Sequence, residues 1–168
     1  MPHAKPLVVW ISGDTGTGKS ALAYYLCGEE RFRKVGKLDW FDGYHGQANV
    51  TFDDFRKCNV EWSFLLNLLD WYKLDDLPVK GSFVSWRPKL VVFTCPHSAE
   101  DEFVYRDEAG NQPRRNVENV AQILRRIDIT IQAVDQWTYV VTKGGDHPLV
   151  ADLDGETVRN WVCNEQHE

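Results

Sequence analysis

The sequence contains the octapeptide Gly13-Asp14-Thr15-Gly16-Thr17-Gly18-Lys19-Ser20, from which its fold class can be predicted. It matches the phosphate-binding loop pattern G-x-x-x-x-G-K-[ST] at every defined position. The continuous apolar run at residues 7–11 precedes it, which is typical of a strand buried on both faces of a parallel sheet. Helix-forming residues follow at 19–27. A strand, a glycine-rich loop and a helix in this order predict an α/β fold of the P-loop nucleoside triphosphatase class.

The chemistry of this loop predicts ATP and Mg²⁺ as cofactors. Its glycines let backbone amides point at phosphate oxygens, and the helix that follows adds the positive end of its dipole. We expect Lys19 to reach the β- and γ-phosphates and the Ser20 hydroxyl to bind Mg²⁺. A glycine-rich turn that matched the pattern by chance would need no strand before it and no helix after it, so their presence here favours a phosphate-binding loop. All eight residues of the loop are therefore predicted to bind the nucleotide.

Two acidic residues, Asp53 and Asp54, directly follow a short apolar strand at residues 50–52. The end of that strand is expected at the same edge of the sheet as the phosphate loop. Asp53 is predicted to hold Mg²⁺ through water, and Asp54 to orient or deprotonate the attacking water. Aspartate after a strand also serves in turns and helix caps, so this assignment depends on the phosphate loop upstream.

Composition places the chain among globular proteins of one domain. Its 168 residues are 43% hydrophobic and 26% charged, which is enough to bury a core. We predict a P-loop ATPase unit at residues 1–135 and a terminal strand and tail of the same domain at 136–168. The sequence shows no secretory signal and no apolar run of membrane-spanning length. The four cysteines show no metal-ligand spacing and are read as the reduced thiols of an intracellular protein.

Periodicity along the rest of the chain predicts the remaining elements of an α/β domain. Apolar residues at helical spacing indicate amphipathic helices at residues 60–72 and 116–127. A hairpin or exposed loop is expected at 78–89, and a turn-rich surface excursion at 100–115. Further strands are predicted within 33–40, at 90–94, at 129–134 and at 137–141.

Three segments in this order resemble the replication-associated (Rep) proteins of small circular single-stranded DNA viruses. They are the phosphate loop, Trp40-Phe41-Asp42-Gly43-Tyr44-His45-Gly46 and Val50-Thr51-Phe52-Asp53-Asp54-Phe55, and the second resembles the circovirus-related group in particular. The resemblance covers about residues 7–127. It implies a superfamily-three helicase, with a modified AAA+ fold in a three-layer sandwich around a central parallel sheet. Such subunits assemble into a ring, usually a hexamer, around one DNA strand.

The resemblance also implies an activity and its setting. The domain would hydrolyse ATP at subunit interfaces to translocate on single-stranded DNA, in the 3′-to-5′ direction, during rolling-circle replication in the host nucleus. Rep proteins of this group carry an N-terminal nicking domain with paired histidines. This sequence has no His-x-His pair, so we expect a motor without nicking activity of its own.

The resemblance also implies roles for several basic residues. Lys80 beside Gly81 resembles a channel-facing loop, where Lys80, with Arg87 or Lys89, would contact DNA phosphates. A basic loop of this kind also reconciles DNA binding with the net charge of −6, which argues against a generic nucleic-acid binder. Arg125 and Arg126 resemble the family's paired arginines, one of which acts as an arginine finger on the neighbouring subunit's ATP.

The sequence departs from the family pattern after the strand at residues 90–94. Pro96 occupies the place of a polar sensor, usually asparagine, that hydrogen-bonds the γ-phosphate or the attacking water. Thr94 or His97 would have to substitute for it, and we favour His97. Two alternatives to the helicase remain: a small-molecule P-loop kinase and a nucleotide-binding scaffold that has lost hydrolysis. The absence of an arginine-rich lid disfavours the kinase, and the intact Lys19, Ser20, Asp53 and Asp54 disfavour the scaffold.

Overall fold

The computed structural model describes residues 5–70, 74–103, 115–136, 138–143, 147–153, 156, 158–160 and 162. One sheet contains β1 (Leu7–Ser12), β2 (Phe32–Val35), β3 (Asn49–Asp53), β6 (Leu90–Cys95), β7 (Ile129–Asp135), β8 (Thr138–Lys143) and β9 (His147–Leu153). A separate hairpin is formed by β4 (Leu74–Val79) and β5 (Ser82–Trp86). The helices are α1 (Lys19–Cys27), α2 (Trp62–Leu68), α3 (Ala99–Glu102) and α4 (Arg115–Leu124), with a 3₁₀ turn at Lys57–Asn59.

The large sheet has seven strands in the order β2-β3-β6-β1-β7-β8-β9. Strands β2, β3, β6, β1 and β7 pair in parallel, whereas β8 and β9 extend the sheet antiparallel. The predicted α/β fold with a central parallel sheet is confirmed for these five strands, and the two antiparallel strands were not predicted as such. Because β1, β3 and β6 are parallel neighbours, the segments that follow them meet at one edge of the sheet. The phosphate loop follows β1, Asp53 is the last residue of β3 with Asp54 directly after it, and the predicted sensor residues Thr94 and His97 lie at and just beyond the end of β6.

Alternate residues of the central strand β1 serve two different cores, as the two-residue repeat of a strand requires. Val8 and Trp10 belong to a core shared with the hairpin, α2, α3 and α4. Val9 and Ile11 belong to a second core, built with α1 and with Val158 and Val162 near the end of the chain. The sheet thus lies between two layers, as the predicted three-layer sandwich requires. The first core is rich in aromatic rings, with Trp10 against Phe93 at 5.1 Å and Phe55 at 5.6 Å between ring centroids.

Some element boundaries differ from the predicted ones. The helix expected at 60–72 ends at Leu68, and the excursion expected at 100–115 begins with α3; residues 104–114 of that excursion lie outside the described ranges. Strand β9 was not predicted, because His147–Leu153 carries a proline and no apolar alternation that marks a strand. The region expected at 78–89 as a hairpin or exposed loop is a hairpin, but it begins at Leu74 and ends at Trp86. The helix expected at 116–127 is present as α4 and ends at Leu124. Cys27, Cys58 and Cys95 are free thiols. In the described part of the chain, no helix is long and apolar enough to cross a membrane.

Candidate nucleotide-binding site

The loop between β1 and α1 adopts a conformation that its glycines make accessible. Gly13 has φ +151°, and a Cβ there would lie 2.6 Å from the carbonyl oxygen of Ala133 on β7. Gly18 has φ +85° and caps α1 without a side-chain hydrogen bond, so the amides of the first helical turn remain available to a ligand. The Lys19 Nζ atom donates to the carbonyl of Asp14 at 2.8 Å. The lysine therefore lies across the loop that would surround the phosphates.

Asp53 links the phosphate loop to the two strands beside it. Its Oδ1 atom accepts hydrogen bonds from the Ser20 hydroxyl at 2.9 Å and from the Thr94 hydroxyl at 2.6 Å. Burial by itself would raise the pKa of Asp53, but the hydrogen bonds from Thr94, Arg33 and Ser20 together lower it. Asp53 is therefore a carboxylate at neutral pH. A hydroxyl and a carboxylate in contact are oxygen ligands of the kind that Mg²⁺ prefers.

Arg33 on β2 binds the other oxygen of the same carboxylate. Its Nη2 and Nε atoms lie 2.6 Å and 3.1 Å from the Oδ2 atom of Asp53. The Asp53 side chain is 7% exposed, whereas that of Arg33 is 49% exposed. Arg33 was not predicted as a site residue, since a single arginine in a short strand carries no distinguishing pattern.

Asp54 stands apart from its neighbour and points toward solvent. Its φ of +53° lies in the left-handed region, and its backbone amide donates to the Thr94 hydroxyl at 2.8 Å. The carboxylate is 68% exposed and pairs with Arg56 at 2.9 Å. The structure therefore separates the two acidic groups, with Asp53 buried against Ser20 and Asp54 directed outward.

The two residues considered as replacements for the sensor occupy different environments. Thr94 is buried and bridges Asp53 and Asp54 through its hydroxyl. His97 is 57% exposed, and its Nδ1 atom lies 2.8 Å from Oε1 of Glu102. Its carbonyl accepts a hydrogen bond from the indole of Trp10 at 3.0 Å. His97 also lines a cleft of about 510 Å³ beside Gly13.

Glu102 is a second residue that sequence analysis did not identify. It is buried on α3, and its Oε2 atom accepts a hydrogen bond from the backbone amide of Lys57 at 2.7 Å. Burial would raise its pKa, but the hydrogen bonds from His97, Lys57 and Cys95 lower it. Burial raises the pKa of the Cys95 thiol to about 12. Atoms of Cys95, His97 and Glu102 that are able to bind a metal lie within 4.8 Å of one another, and they hydrogen-bond among themselves.

The predicted DNA-contacting residues lie on and near the hairpin. Lys80 is exposed at its tip, next to Gly81 with φ +79°. Arg87 and Lys89 are also exposed but follow the base of the hairpin. A strand of that length spans roughly 17 Å. The structure therefore does not bring Lys80 together with the other two residues.

The segment around Trp40 holds this hairpin in place. The Phe41 amide donates to the Pro78 carbonyl at 2.9 Å, and the Lys80 amide donates to the Asp42 carboxylate. Phe41 and Tyr44 pack against the buried Trp86 at 5.6 Å and 5.0 Å between ring centroids. The motif that carried the family resemblance is thus a support for the hairpin.

The two candidate finger arginines lie away from the phosphate loop of their own chain. They follow α4 and precede the first residue of β7, whereas the loop follows the last residue of β1. These two ends of neighbouring parallel strands are separated by roughly 20 Å, the length of β1. Arg126 forms an ion pair with Asp70 at 3.0 Å, and Arg125 is exposed.

Comparison with known proteins agrees with this architecture. The family model described as RNA helicase matches residues 9–97, just over half of the chain. The chain belongs to this helicase family. Its match ends at His97 and includes the phosphate loop, the acidic pair, the Trp40 segment and the hairpin.

Individual relatives indicate which proteins with such a domain this chain is similar to. The replication-associated protein of canary circovirus is 39% identical over 90 residues, which are 54% of this chain and 30% of the relative. Those of beak and feather disease virus and porcine circovirus 1 are each 32% identical, over 61% and 58% of this chain and 34% and 31% of the relatives. The predicted resemblance to a Rep-type superfamily-three helicase domain is confirmed. The chain spans about a third of the length of these relatives.

Proposed function

We propose that this helicase domain is the ATP-hydrolysing motor of a viral replication initiator that translocates on single-stranded DNA and unwinds duplex DNA. The observation that carries the proposal is the contact of Ser20 with Asp53 at 2.9 Å, because it joins the phosphate loop to an acidic strand end. The matches to circovirus replication-associated proteins supply the replication context. By the same resemblance, we expect it to act in the host nucleus during rolling-circle replication.

In this proposal, the phosphate loop binds ATP and the neighbouring residues prepare hydrolysis. Amides of residues 13–20 donate to the phosphate oxygens, and Lys19 leaves the Asp14 carbonyl to contact the β- and γ-phosphates. Ser20 and Asp53 would hold Mg²⁺, which supplies positive charge that stabilises the transferred phosphoryl group. The two side chains already lie within hydrogen-bond distance of each other, so they are placed to bind the ion together.

Asp54 and His97 are the candidates for handling the attacking water. The exposed Asp54 carboxylate can accept a proton or a hydrogen bond from water at the end of β3. His97 reaches the cleft beside Gly13 and would hydrogen-bond the γ-phosphate or this water in place of the asparagine that Pro96 replaces. Glu102 holds Nδ1 of the ring, which fixes its orientation. Thr94 is engaged with both aspartates and serves to position them.

The active site is completed by a second subunit in this proposal. Arg125 and Arg126 lie where β7 begins, whereas the phosphate loop lies at the other end of these parallel strands, where β1 ends. Neither arginine therefore reaches the nucleotide of its own chain. By the family resemblance, the subunits would assemble into a hexameric ring of the AAA+ type. In that ring, an arginine finger of one subunit would contact the ATP bound to its neighbour. Lys80 at the hairpin tip would then contact the DNA backbone within the ring.

Measurement of ATP hydrolysis with and without single-stranded DNA tests the function. We expect hydrolysis that single-stranded DNA stimulates, and its loss in Lys19→Ala. A kinase would turn over with a small-molecule acceptor and ignore DNA. A scaffold would bind ATP and assemble without turnover. Hydrolysis that survives Lys19→Ala at the wild-type rate would exclude the proposed site.

A further inference from the structure

Arg33 forms a contact that the proposed hydrolysis does not use. Its guanidinium binds Oδ2 of Asp53 through two nitrogen atoms, while Oδ1 accepts the Ser20 and Thr94 hydroxyls. Both oxygens of the carboxylate thus have partners. A carboxylate that is 7% exposed is costly to bury without a positive partner, and Arg33 supplies that charge.

The same carboxylate is the group expected to hold Mg²⁺ through water. Two cations on one carboxylate repel each other, so Mg²⁺ and Arg33 compete for it. Arg33 is 49% exposed and lies at the outer strand of the sheet, so its side chain can leave toward solvent.

We propose that Arg33 is a stand-in cation for Mg²⁺. It neutralises Asp53 while the site is empty and moves away when the metal–nucleotide complex binds. Arg33 thereby sets the divalent-cation concentration at which the site fills, and it stabilises the empty domain. This inference rests on the proposed nucleotide site and adds to it a residue that opposes metal loading.

The neighbouring ion pair provides a matched control. Arg56 binds Asp54 at 2.9 Å, but this pair is exposed on both sides, with side chains 39% and 68% exposed. Arg33→Gln removes the charge while it keeps a hydrogen-bonding side chain. Arg56→Gln makes the same chemical change in the neighbouring ion pair, whose carboxylate is exposed.

The test measures the binding of Mn²⁺ to the chain in the presence of ADP. The electron paramagnetic resonance signal of free Mn²⁺ monitors the binding. Arg33→Gln should lower the Mn²⁺ concentration for half-saturation by roughly fivefold, the factor typical of a partly exposed ion pair. Arg56→Gln should leave it unchanged. In EDTA, the Tm of Arg33→Gln should be lower than that of the wild type. Addition of Mn²⁺ and ADP should raise the Tm of Arg33→Gln by more than it raises the Tm of the wild type.

A half-saturation concentration that is unchanged or higher in Arg33→Gln would overturn the stand-in role. If Arg33→Gln does not fold in EDTA, Arg33→Lys provides the test, because an ammonium replaces the two-nitrogen contact with a weaker one. It should lower the half-saturation concentration by a smaller factor, and no decrease would again overturn the role. A wild-type chain that binds no Mn²⁺ with ADP would instead refute the proposed nucleotide site itself.

Discussion

Arg126 is bound to Asp70, with its Nη2 atom 3.0 Å from the carboxylate and its Nη1 atom donating to the carbonyl of Gln122 at 2.8 Å. The ion pair fastens the end of α4 to the segment that follows α2. The side chains of Arg126 and Asp70 are only 20% and 23% exposed, so the pair is partly withdrawn from solvent. Arg125, one residue earlier, is exposed. The sequence did not distinguish the two candidate finger arginines, whereas the structure places them in different environments.

We predict that Arg125 is the arginine finger and that Arg126 is a structural residue. Arg125→Ala should lower the kcat of ATP hydrolysis by roughly a thousandfold with little change in Tm, because a finger stabilises charge only in the transition state. Arg126→Ala should reduce the free energy of unfolding by about 1 kcal/mol and affect kcat less. Hydrolysis and thermal melting of the two variants measure this difference.

Mixed assemblies test whether the finger acts between subunits. Arg125→Ala chains and Lys19→Ala chains are each expected to be inactive, but a mixture contains interfaces with an intact loop and an intact finger. Hydrolysis should therefore return on mixing. No recovery, in a mixture that sizing shows to be assembled, would contradict a finger acting in trans.

The support of the hairpin by Asp42 leads to a second prediction. The Asp42 carboxylate accepts the backbone amide of Lys80, so its loss should let the tip move and weaken single-stranded DNA binding severalfold. Asp42→Ala should show this loss. Asp42→Asn, which keeps an acceptor oxygen, should bind more tightly than Asp42→Ala. Anisotropy of a labelled oligonucleotide measures both, and equal affinities for the two variants would argue against positioning through this hydrogen bond.

Direct contact by Lys80 has a different signature from positioning. Lys80→Ala removes one phosphate contact, so the slope of log affinity against log salt concentration should decrease by about 0.7 for single-stranded DNA. Asp42→Ala retains the lysine and should change this slope less. A slope that Lys80→Ala leaves unchanged would place the DNA contact elsewhere.

The sequence predicted the parts of the site that belong to short continuous patterns. The phosphate loop, the aspartates at the end of β3 and the hairpin each follow from local residue order. Arg33 and Glu102 were not predicted, because their roles come from partners that are distant in sequence. Arg33 meets Asp53 only because β2 lies beside β3, and Glu102 meets Lys57 across 45 residues. Pairings of this kind depend on the assembled fold.

The buried hydroxyl of Thr94 is the subject of a further prediction. It donates to Asp53 and accepts from the Asp54 amide. Thr94→Val keeps the shape but leaves that amide without its acceptor, which should lower the free energy of unfolding by about 1–3 kcal/mol. Thr94→Ser retains the hydroxyl and should lose less. Urea denaturation of the two variants gives the comparison, and a loss in Thr94→Ser as large as that in Thr94→Val would contradict the prediction, because the methyl group would then contribute as much as the hydrogen bonds.

The buried Glu102 carboxylate gives a prediction about pH. Hydrogen bonds from His97, Lys57 and Cys95 overcome the effect of burial and lower its pKa in the folded chain. A lowered pKa means that the carboxylate stabilises the fold above about pH 4.3, the ordinary pKa of glutamate, and that this contribution is lost as the pH falls through the folded-state value. The free energy of unfolding of Glu102→Gln should therefore depend less steeply on pH in this acidic range than that of the wild type.

The same substitution tests the orientation of His97. The Glu102 carboxylate lies 2.8 Å from Nδ1 of His97, and glutamine offers that atom only a weaker, uncharged partner. Glu102→Gln should therefore hold the ring less firmly and lower the kcat of ATP hydrolysis. His97→Ala should reduce hydrolysis and make it insensitive to Glu102→Gln. If Glu102→Gln lowers kcat by the same factor with and without the His97 ring, His97 is not the residue that senses the γ-phosphate, and Thr94 or another group near the cleft performs that task.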